Sequence, residues 1–397
     1  MNAVMLYTRF RPVNEKGGTE HTTAVLAKEL RERFGMEAIA TYRNDFSGTC
    51  DGFDAVYKLP NGGKAAVEAA VDIVRKHHVE TIVVQGFFRE TRIFYAVKKK
   101  TGCRLFFAYH FQPGWESLDK SGILKKAASR HGLGKLRYRL KYLLFPLFSL
   151  LNTIKFRKRY YHAFRRADKV VVLSRPYERL FLKMALAHDE VKICSIPNML
   201  PYHEEVSNHI DAHRKEKVAL MVSRLDERQK RVRLALELWK RAVGGDPSLN
   251  DWRLYVVGDG DTSVVGQYRE WAEEHGVPRV TFTGRANPMP YYQKASVFIM
   301  TSLFEGLPLT ILESRQCKVV PMAFDTFGAI ADLIHDGKDG FVVKEGDEDR
   351  YVSCLRWLMN DDDLRSKMME EGLRSLAPFR HDRVAEQWHH ILEANPK

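Results

Sequence analysis

The chain has 397 residues, which is too many for one ordinary hydrophobic core and predicts two domains of roughly 150–200 residues each. Hydrophobic residues make up 45% and charged residues 28% of the chain, an ordinary globular composition that excludes a low-complexity protein. The formal net charge of +13 belongs to one segment, because residues 120–166 hold fourteen Lys or Arg and no Asp or Glu, which leaves −1 for the rest.

The first residues form a short apolar run, 3–7, without a basic lead or a long apolar stretch. This run predicts a first strand and not a signal peptide. The five cysteines are scattered and form no Cys-x-x-Cys pair, so they predict reduced thiols in a cytoplasmic protein and not disulfides or zinc ligands. They are Cys50, Cys103, Cys194, Cys317 and Cys354.

Short apolar runs alternate with helical patterns through the first half of the chain. Repeated strand-then-helix units predict a parallel sheet that is covered on both faces. The expected strands are 4–7, 37–42, 55–58, 81–85, 104–109 and 169–173, with helices that include 19–34, 63–76 and 91–100.

A second alternation of the same kind follows a polar stretch. Its expected strands are 218–222, 252–257, 279–283, 297–300, 319–323 and 340–343. The sequence therefore predicts an α/β protein with two doubly wound, Rossmann-like domains. We expect a first domain at 1–205, a linker at 206–217, a second domain at 218–378, and a C-terminal helix within 379–397 that packs back on the first domain.

Two carboxylates frame the most informative motif of the second half. Glu305 lies in a glycine-containing loop after an apolar strand, and Glu313 lies in the helix that Pro308 is suited to start. The helix N-terminus between them offers unpaired N–H groups to a phosphate. Carboxylates that bind hydroxyl groups, on either side of a phosphate-binding helix N-terminus, are suited to bind a nucleotide sugar.

Two cations follow the first strand of the second domain. Arg224 and Lys230 stand six residues apart, at the start of a loop and the start of a helix. They are able to converge on a diphosphate through charge-assisted hydrogen bonds. The alternative is a solvated basic loop, which is the usual setting of Arg and Lys.

These motifs together resemble retaining glycosyltransferase family 4. The resemblance extends across nearly all of residues 218–343 and continues more loosely into the first half. It rests on Ser223-Arg224-Leu225 with Lys230, Val257-Gly258-Asp259-Gly260, Phe282-Thr283-Gly284, Phe304-Glu305-Gly306-Leu307-Pro308 with Glu313, Ile334 to Val343, Gly17-Gly18 and Tyr109-His110.

The resemblance implies a GT-B architecture, with the two domains facing across a cleft, the donor on the second domain and the acceptor on the first. It implies that Arg224 and Lys230 bind the diphosphate and that Glu313 accepts the ribose hydroxyls. It places Glu305 at the transferred sugar and His110 across the cleft, although a core-edge histidine is the alternative for His110. The remaining implied donor-binding residues are Gly17, Gly18, Gly258, Gly306, Leu307, Pro308 and Leu309.

No protein nucleophile is evident, and the resemblance implies front-face attack assisted by the diphosphate oxygen. Asp259-Gly260-Asp261 spells the acid-x-acid signature of metal-dependent glycosyltransferases. The resembling family has a metal-free Gly-x-Gly turn at this place, so we expect no metal and no other cofactor.

The basic segment 120–166 contains an uncharged run of thirteen residues, 142–154, which is too short to span a bilayer and is interrupted by Pro146. Its leucines recur at helical spacing among Lys and Arg, which is typical of a helix in an anionic membrane surface. The alternative is a helix that packs on the first domain. The expected membrane contacts are Lys135, Arg137, Arg139, Lys141, Leu143, Leu147, Lys155, Arg157, Lys158 and Arg159.

The sequence therefore predicts a retaining, metal-independent glycosyltransferase that is peripheral at the inner face of the cytoplasmic membrane. It would move a hexosyl or N-acetylhexosaminyl unit from a UDP-sugar to a lipid-linked saccharide acceptor in polysaccharide or oligosaccharide biosynthesis. One alternative is a nucleotide-sugar epimerase with the same fold, and another is a non-enzymatic lipid-binding module. No nucleic-acid partner is expected, since no nucleic-acid-binding motif accompanies the charge. The sequence carries no signal for an oligomeric state.

Overall fold

The structure, a computed structural model, describes residues 2–13, 18–117, 144–258, 260 and 262–394. The chain divides into two units. Unit 1 comprises Met1–Met199 and His381–Lys397, and unit 2 comprises Leu200–Arg380.

Unit 1 is built on a seven-stranded parallel sheet with the order β3-β2-β1-β4-β5-β6-β7. Its strands are rich in Val, Ile, Leu and Phe and are buried on both faces, as parallel strands between helices require. They are β1 (Ala3–Tyr7), β2 (Glu37–Tyr42), β3 (Ala55–Lys58), β4 (Val79–Gln85), β5 (Arg104–Tyr109), β6 (Lys169–Val172) and β7 (Ile193–Ser195).

Among the described residues before position 200, five helices lie between these strands. They are α1 (Thr19–Phe34), α2 (Gly63–Lys76), α3 (Glu90–Thr101), α4 (Phe145–Arg166) and α5 (Arg175–Ala185). Pro146 lies in the first turn of α4. Proline is compatible with a first helical turn, so Pro146 lies at the start of the helix, and the first two residues of the apolar run, 142 and 143, lie outside the described residues.

Unit 2 is built on a six-stranded parallel sheet with the order β10-β9-β8-β11-β12-β13. The strands are β8 (Val218–Val222), β9 (Arg253–Val257), β10 (Val280–Gly284), β11 (Val297–Met300), β12 (Val320–Asp325) and β13 (Phe341–Lys344). The helices are α6 (Glu227–Lys230), α7 (Val232–Val243), α8 (Thr262–Glu274), α9 (Met289–Lys294), α10 (Leu309–Gln316), α11 (Ile330–Leu333), α12 (Glu348–Asn360) and α13 (Asp362–Arg374).

The last helix, α14 (His381–Glu393), belongs to unit 1 and not to unit 2. Its apolar residues Val384, Trp388 and Leu392 join the same buried cluster as the α1 residues Leu26 and Leu30. A partly buried contact also lies at its start, since His381 Nδ1 is 3.2 Å from Glu29 Oε1. This hydrogen bond, supported by Arg33, lowers the pKa of Glu29 to about 2.

The stretch expected to be a linker, 206–217, is packed on unit 2. The short 3₁₀ turn Glu204–His209 overlaps its start, and a second one lies at Ala212–Arg214. Lys215 Nζ donates to the backbone oxygens of Tyr292 (2.7 Å) and Cys317 (2.6 Å). The segment is polar because it lies on the surface of unit 2, where Lys215 hydrogen-bonds these two carbonyl groups.

The prediction of an α/β fold with two doubly wound parallel sheets is confirmed. Within the described residues, no helix is both long enough and apolar enough to cross a membrane.

Candidate active site

The site of unit 2 lies where the sheet order reverses direction. From the central strand β8 the chain proceeds to β9 and β10 on one side, and then returns to β11 on the other side. In open α/β sheets, ligands bind at the carboxyl ends of the strands at such a switch point. The loops that leave β8 and β11 carry the motifs around Lys230 and Glu305.

The loop after β8 is shaped by a capped turn. Asp226 Oδ1 accepts hydrogen bonds from the backbone N–H groups of Arg228 (2.9 Å) and Gln229 (3.4 Å), which starts the short helix α6. Arg231 then adopts a left-handed φ of 49°, so that the chain turns again before α7 begins. The two turns leave Lys230 directed toward the neighbouring loop after β11.

The two loops meet in a nearly buried ion pair. Lys230 Nζ lies 2.5 Å from Glu305 Oε1, and the side chains are only 14% and 9% exposed. Gln229 Nε2 donates to Glu305 Oε2 and to the backbone oxygen of Phe304, both at 3.1 Å. Both oxygens of Glu305 are therefore held by groups from the loop after β8.

Gln229 was not among the residues expected from the sequence. It also connects Glu305 to Arg224, because Arg224 Nη2 lies 3.3 Å from Gln229 Oε1. The Arg224 side chain is 66% exposed, and its nearest carboxylate oxygen in the described residues is that of Asp226 at 3.7 Å. Arg224 and Lys230 thus lie on one loop, where Arg224 is open to solvent and Lys230 is paired with Glu305.

Glu313 lies on α10, the helix that follows Glu305. Tyr292 Oη donates a 2.8 Å hydrogen bond to Glu313 Oε2. Burial raises the pKa of Glu313 to about 7, and the Tyr292 hydrogen bond offsets only part of that shift. Glu313 is therefore a carboxyl group that is poised between its two protonation states near neutral pH.

The N-terminus of α10 has no side-chain cap. Pro308 takes the cap position with an extended backbone, and no side chain there bonds the helix amides. The loop residues before it, from Glu305 to Pro308, are buried. The expected donor-binding residues Gly306, Leu307, Pro308 and Leu309 hence form the turn that leads from Glu305 into the helix of Glu313.

Gly258 has a packing reason to be glycine. Its φ is +136°, and a Cβ atom there would lie 1.9 Å from the carbonyl oxygen of Ser223. The loop after β9 therefore approaches the loop after β8 more closely than any side chain allows. Asp259 and Asp261 lie outside the described residues.

In unit 1, His110 follows β5 and its Nε2 hydrogen-bonds Gln85 Oε1 at the end of β4. Burial lowers the pKa of His110 to about 4, so the ring is neutral at pH 7. With Nε2–H donated to Gln85, Nδ1 is the ring atom able to accept a hydrogen bond. The pair lines a small cavity of about 20 Å³ together with Thr22 and Asn198.

Gly18 precedes α1 with a φ of +75° and has open space around its α-carbon, whereas Gly17 lies outside the described residues. The membrane-contact candidates are divided in the same way. Lys155, Arg157, Lys158 and Arg159 lie on α4. Leu147 lies in the first turns of α4, and Lys135, Arg137, Arg139, Lys141 and Leu143 are outside the described residues.

Comparison with known proteins gives a family match within the second half of the chain. The family model for glycosyl transferases group 1 matches residues 216–361. The amylovoran biosynthesis glycosyltransferase AmsD of Erwinia amylovora is 28% identical over 231 residues, which are 57% of this chain and 62% of that protein.

A second relative is the Campylobacter jejuni GalNAc-alpha-(1->4)-GalNAc-alpha-(1->3)-diNAcBac-PP-undecaprenol alpha-1,4-N-acetyl-D-galactosaminyltransferase. It is 27% identical over 177 residues, which are 44% of this chain and 47% of that protein. The matched regions thus span less than two-thirds of either relative.

A solved structure similar to this chain is that of Anabaena HepE in complex with UDP. The TM-score is 0.73 with 16% sequence identity, over 99% of each chain. This similarity establishes the fold and confirms the expected GT-B architecture. Residues 216–361 of this chain therefore match the glycosyl transferases group 1 family, and the chain has the GT-B fold.

Proposed function

We propose that this protein is a glycosyltransferase that transfers a hexosyl or N-acetylhexosaminyl unit from a UDP-sugar to a lipid-linked saccharide. The observation that carries the proposal is the Lys230–Glu305 pair at the switch point of a group 1 domain. The similarity to UDP-bound HepE supports a uridine diphosphate donor. The named substrate of the Campylobacter relative supports an acceptor attached to a lipid diphosphate.

The donor side of the reaction needs positive charge where the diphosphate leaves. Arg224 and Lys230 lie on the loop after β8, and the uncapped N-terminus of α10 lies on the loop after β11. These groups would stabilise the negative charge of the departing UDP. Glu313, already bonded by Tyr292, would accept the ribose hydroxyls when it is ionised.

We propose that transfer retains the anomeric configuration and needs no metal ion. A retaining enzyme with a protein nucleophile requires a free carboxylate beside the anomeric carbon. Both oxygens of Glu305 are engaged by Lys230 and Gln229, an arrangement that favours a positioning role over nucleophilic attack. We also propose that the protein belongs to retaining glycosyltransferase family 4.

Transfer assays with the purified full-length chain test the main proposal. We expect a UDP-sugar to support transfer to a lipid-linked saccharide, with the product linkage α by NMR and the rate unchanged in excess chelator. Glu305→Gln should lower the rate by about a hundredfold or more, since donor positioning is worth several kcal/mol. Glu237→Gln, an exposed change in the same unit, is the matched control.

Three results would refute parts of this proposal. An inverted linkage would exclude the retaining mechanism, and rescue of a chelated enzyme by manganese would exclude metal independence. Release of a free epimer without an acceptor would favour the epimerase instead.

We also propose that α4 attaches the protein peripherally to the anionic cytoplasmic leaflet. One face of α4 buries Tyr160, Ala163 and Phe164 in unit 1, whereas Leu150, Leu151 and Ile154 are 56%, 53% and 44% exposed. Exposed apolar residues next to dense Lys and Arg are typical of a helix that lies in a membrane surface. Membrane contact and packing on the first domain are therefore compatible, since opposite faces of α4 would make the two contacts.

Flotation with vesicles tests the attachment. Wild-type protein should float with vesicles that contain phosphatidylglycerol and remain in solution with neutral vesicles. Leu150→Gln/Ile154→Gln should lose much of this binding, whereas Leu186→Gln/Val191→Gln, two exposed apolar residues elsewhere in unit 1, should retain it. Equal flotation of both double variants would contradict a role for α4.

A further inference from the structure

A second, strongly basic cavity lies in unit 1, apart from the residues that surround His110. It has a volume of about 810 Å³ and opens between the first turns of α2 and α3 and the C-terminal half of α4. We call it the basic groove. Its cationic lining residues are Arg43, Lys64, Arg89, Arg92, Arg159 and Arg166.

The positive charge of the basic groove is largely uncompensated. Among the described lining residues, the one carboxylate is that of Glu90, which lies 3.2 Å from Arg43 Nη2. Within the described residues, none of the other five cations forms an ion pair with a carboxylate oxygen within 4 Å. An excess of five positive charges thus lines one concave surface.

The cations also repel one another. Burial lowers the pKa of Arg166, and the charge of Arg92 lowers it further. The Nε atom of Arg43 is buried and has no hydrogen-bond partner among the described residues. Like charges that converge in a partly buried groove destabilise the folded protein unless an anion binds among them.

Two helix N-termini add to this positive potential. Gly63 and Lys64 form the first turn of α2, and Arg89 and Glu90 form the start of α3. Among the described residues, no side chain caps either helix, and the helices are 14 and 12 residues long. In α3 the N–H groups of Glu90 and Arg92 already donate to the backbone oxygens of Phe87 and Arg89, so α2 offers the more open first turn. Uncapped amides at the positive end of a helix dipole are suited to phosphate oxygens.

The floor of the basic groove is apolar. Phe88, Val67 and Ile93 line it. Phe88 is held by ring contacts with Tyr109 and Tyr160, whose centroids lie 5.0 Å and 4.6 Å away. A ligand that fits this surface has a densely charged anionic part and an adjoining apolar part.

The groove is linked to the elements proposed for catalysis and membrane attachment. Phe88 follows Gln85, the hydrogen-bond partner of His110, by three residues. Arg159 and Arg166 lie on α4, the helix whose exposed apolar face we assign to the membrane. An anion bound here would therefore be held between a lipid surface and the His110 loop.

We propose that the basic groove binds a diphosphate group, and that its source is the lipid-linked acceptor. The identity of the source rests on the function proposed above, whereas the binding of a diphosphate does not. Two phosphate units would engage the Arg89–Arg92 side of the groove and the α4 arginines, and the first isoprene units would lie on Phe88 and its neighbours.

Binding of farnesyl diphosphate and of inorganic pyrophosphate to the full-length protein tests this proposal by calorimetry. Arg89→Ala/Arg92→Ala removes two exposed cations that have no hydrogen-bonding side-chain partner in the described residues. It should weaken both ligands by about tenfold or more, as expected for two charge-assisted contacts. Lys99→Ala/Lys100→Ala, which removes two exposed cations from the last turn of the same helix, should change binding less than about twofold.

The pattern of losses distinguishes this site from the donor site. The Arg89→Ala/Arg92→Ala variant should raise the KM for the lipid-linked acceptor and leave UDP binding unchanged, while Lys230→Ala should do the reverse. Stronger binding of farnesyl diphosphate than of pyrophosphate supports a lipid source, and equal binding supports a site for the diphosphate alone.

Unchanged diphosphate binding in the Arg89→Ala/Arg92→Ala variant would overturn the proposal. Displacement of the diphosphate by a short DNA duplex at similar concentration would also overturn it, in favour of a general polyanion surface. If no transfer is found but diphosphate binding depends on Arg89 and Arg92, the diphosphate site is supported and the proposed glycosyltransferase function is refuted.

Discussion

Replacement of Glu313 by glutamine should make the ligand-free protein more stable at neutral and alkaline pH. The folded protein raises the pKa of this carboxyl group from 4.5 to about 7. A carboxyl group whose pKa is raised on folding binds its proton more tightly in the folded state. The folded state therefore loses stability as pH rises from 4.5 to about 7, and the penalty is constant above that range.

The size of this penalty follows from the pKa change. A pKa that is higher by about 2.5 in the folded protein lowers the free energy of unfolding by about 3 kcal/mol at pH 8 and by about 1 kcal/mol near pH 5. Glutamine has no charge to bury, and its side-chain oxygen is still able to accept the hydrogen bond from Tyr292 Oη. The stability gain of Glu313→Gln should thus grow by about 2 kcal/mol between these two pH values.

Urea unfolding of the full-length protein at a series of pH values measures this gain. Glu237→Gln, an exposed position on α7, is the matched control and should follow the wild type throughout. A ¹³C NMR titration of the Glu313 carboxyl carbon gives the pKa directly. Parallel stability curves for wild type and Glu313→Gln, or a titration near pH 4.5, would refute the reasoning.

Three further predictions concern the Lys230–Glu305 pair, His110 and the role of Glu313 in UDP binding. Lys230→Met should lower the unfolding temperature and abolish transfer, because it removes the Lys230 charge that lies against Glu305. Adding Glu305→Gln should restore part of the stability but no activity, and a purely additive double variant would contradict the pair. Burial of His110 lowers its pKa to about 4, so the wild type should lose stability as pH falls through 6.5 toward 4, and His110→Gln should lose less over this range by urea unfolding. We proposed that ionised Glu313 accepts the ribose hydroxyls, so the affinity for UDP should rise more steeply between about pH 6 and pH 8 in the wild type than in Glu313→Gln, where only the UDP phosphate titrates. An equal pH dependence of Kd for the two proteins in calorimetry would exclude this role.

The sheets could be predicted from the sequence because parallel strands that are buried on both faces appear as short apolar runs. The run 297–300 corresponds to β11, and the run 218–222 to β8. The spacing of Arg224, Lys230, Glu305 and Glu313 also indicated one loop on each of two strands. What the pattern could not provide was the pairing of β8 with β11, which brings Lys230 to Glu305 across 75 positions of sequence.

The residues that support the site were harder to predict. Gln229 is polar and adjacent to Lys230, so its contact with Glu305 depends on the turn that Asp226 caps. Tyr292 reaches Glu313 from a different helix, and no local spacing encodes this contact. Gln85 ends an apolar strand, which was the one available signal that its amide lies at the carboxyl edge of the sheet.

The return of the chain to unit 1 through α14 affects how the protein is synthesised. During translation, all of unit 2 leaves the ribosome before the segment that supplies Trp388 and Leu392 to the cluster around α1. The apolar face of α1 must therefore wait, uncovered or chaperoned, while an inserted domain completes its own folding. A nascent chain released at residue 380 should contain a folded unit 2 and an aggregation-prone unit 1, although it would carry every residue of the Lys230–Glu305 site.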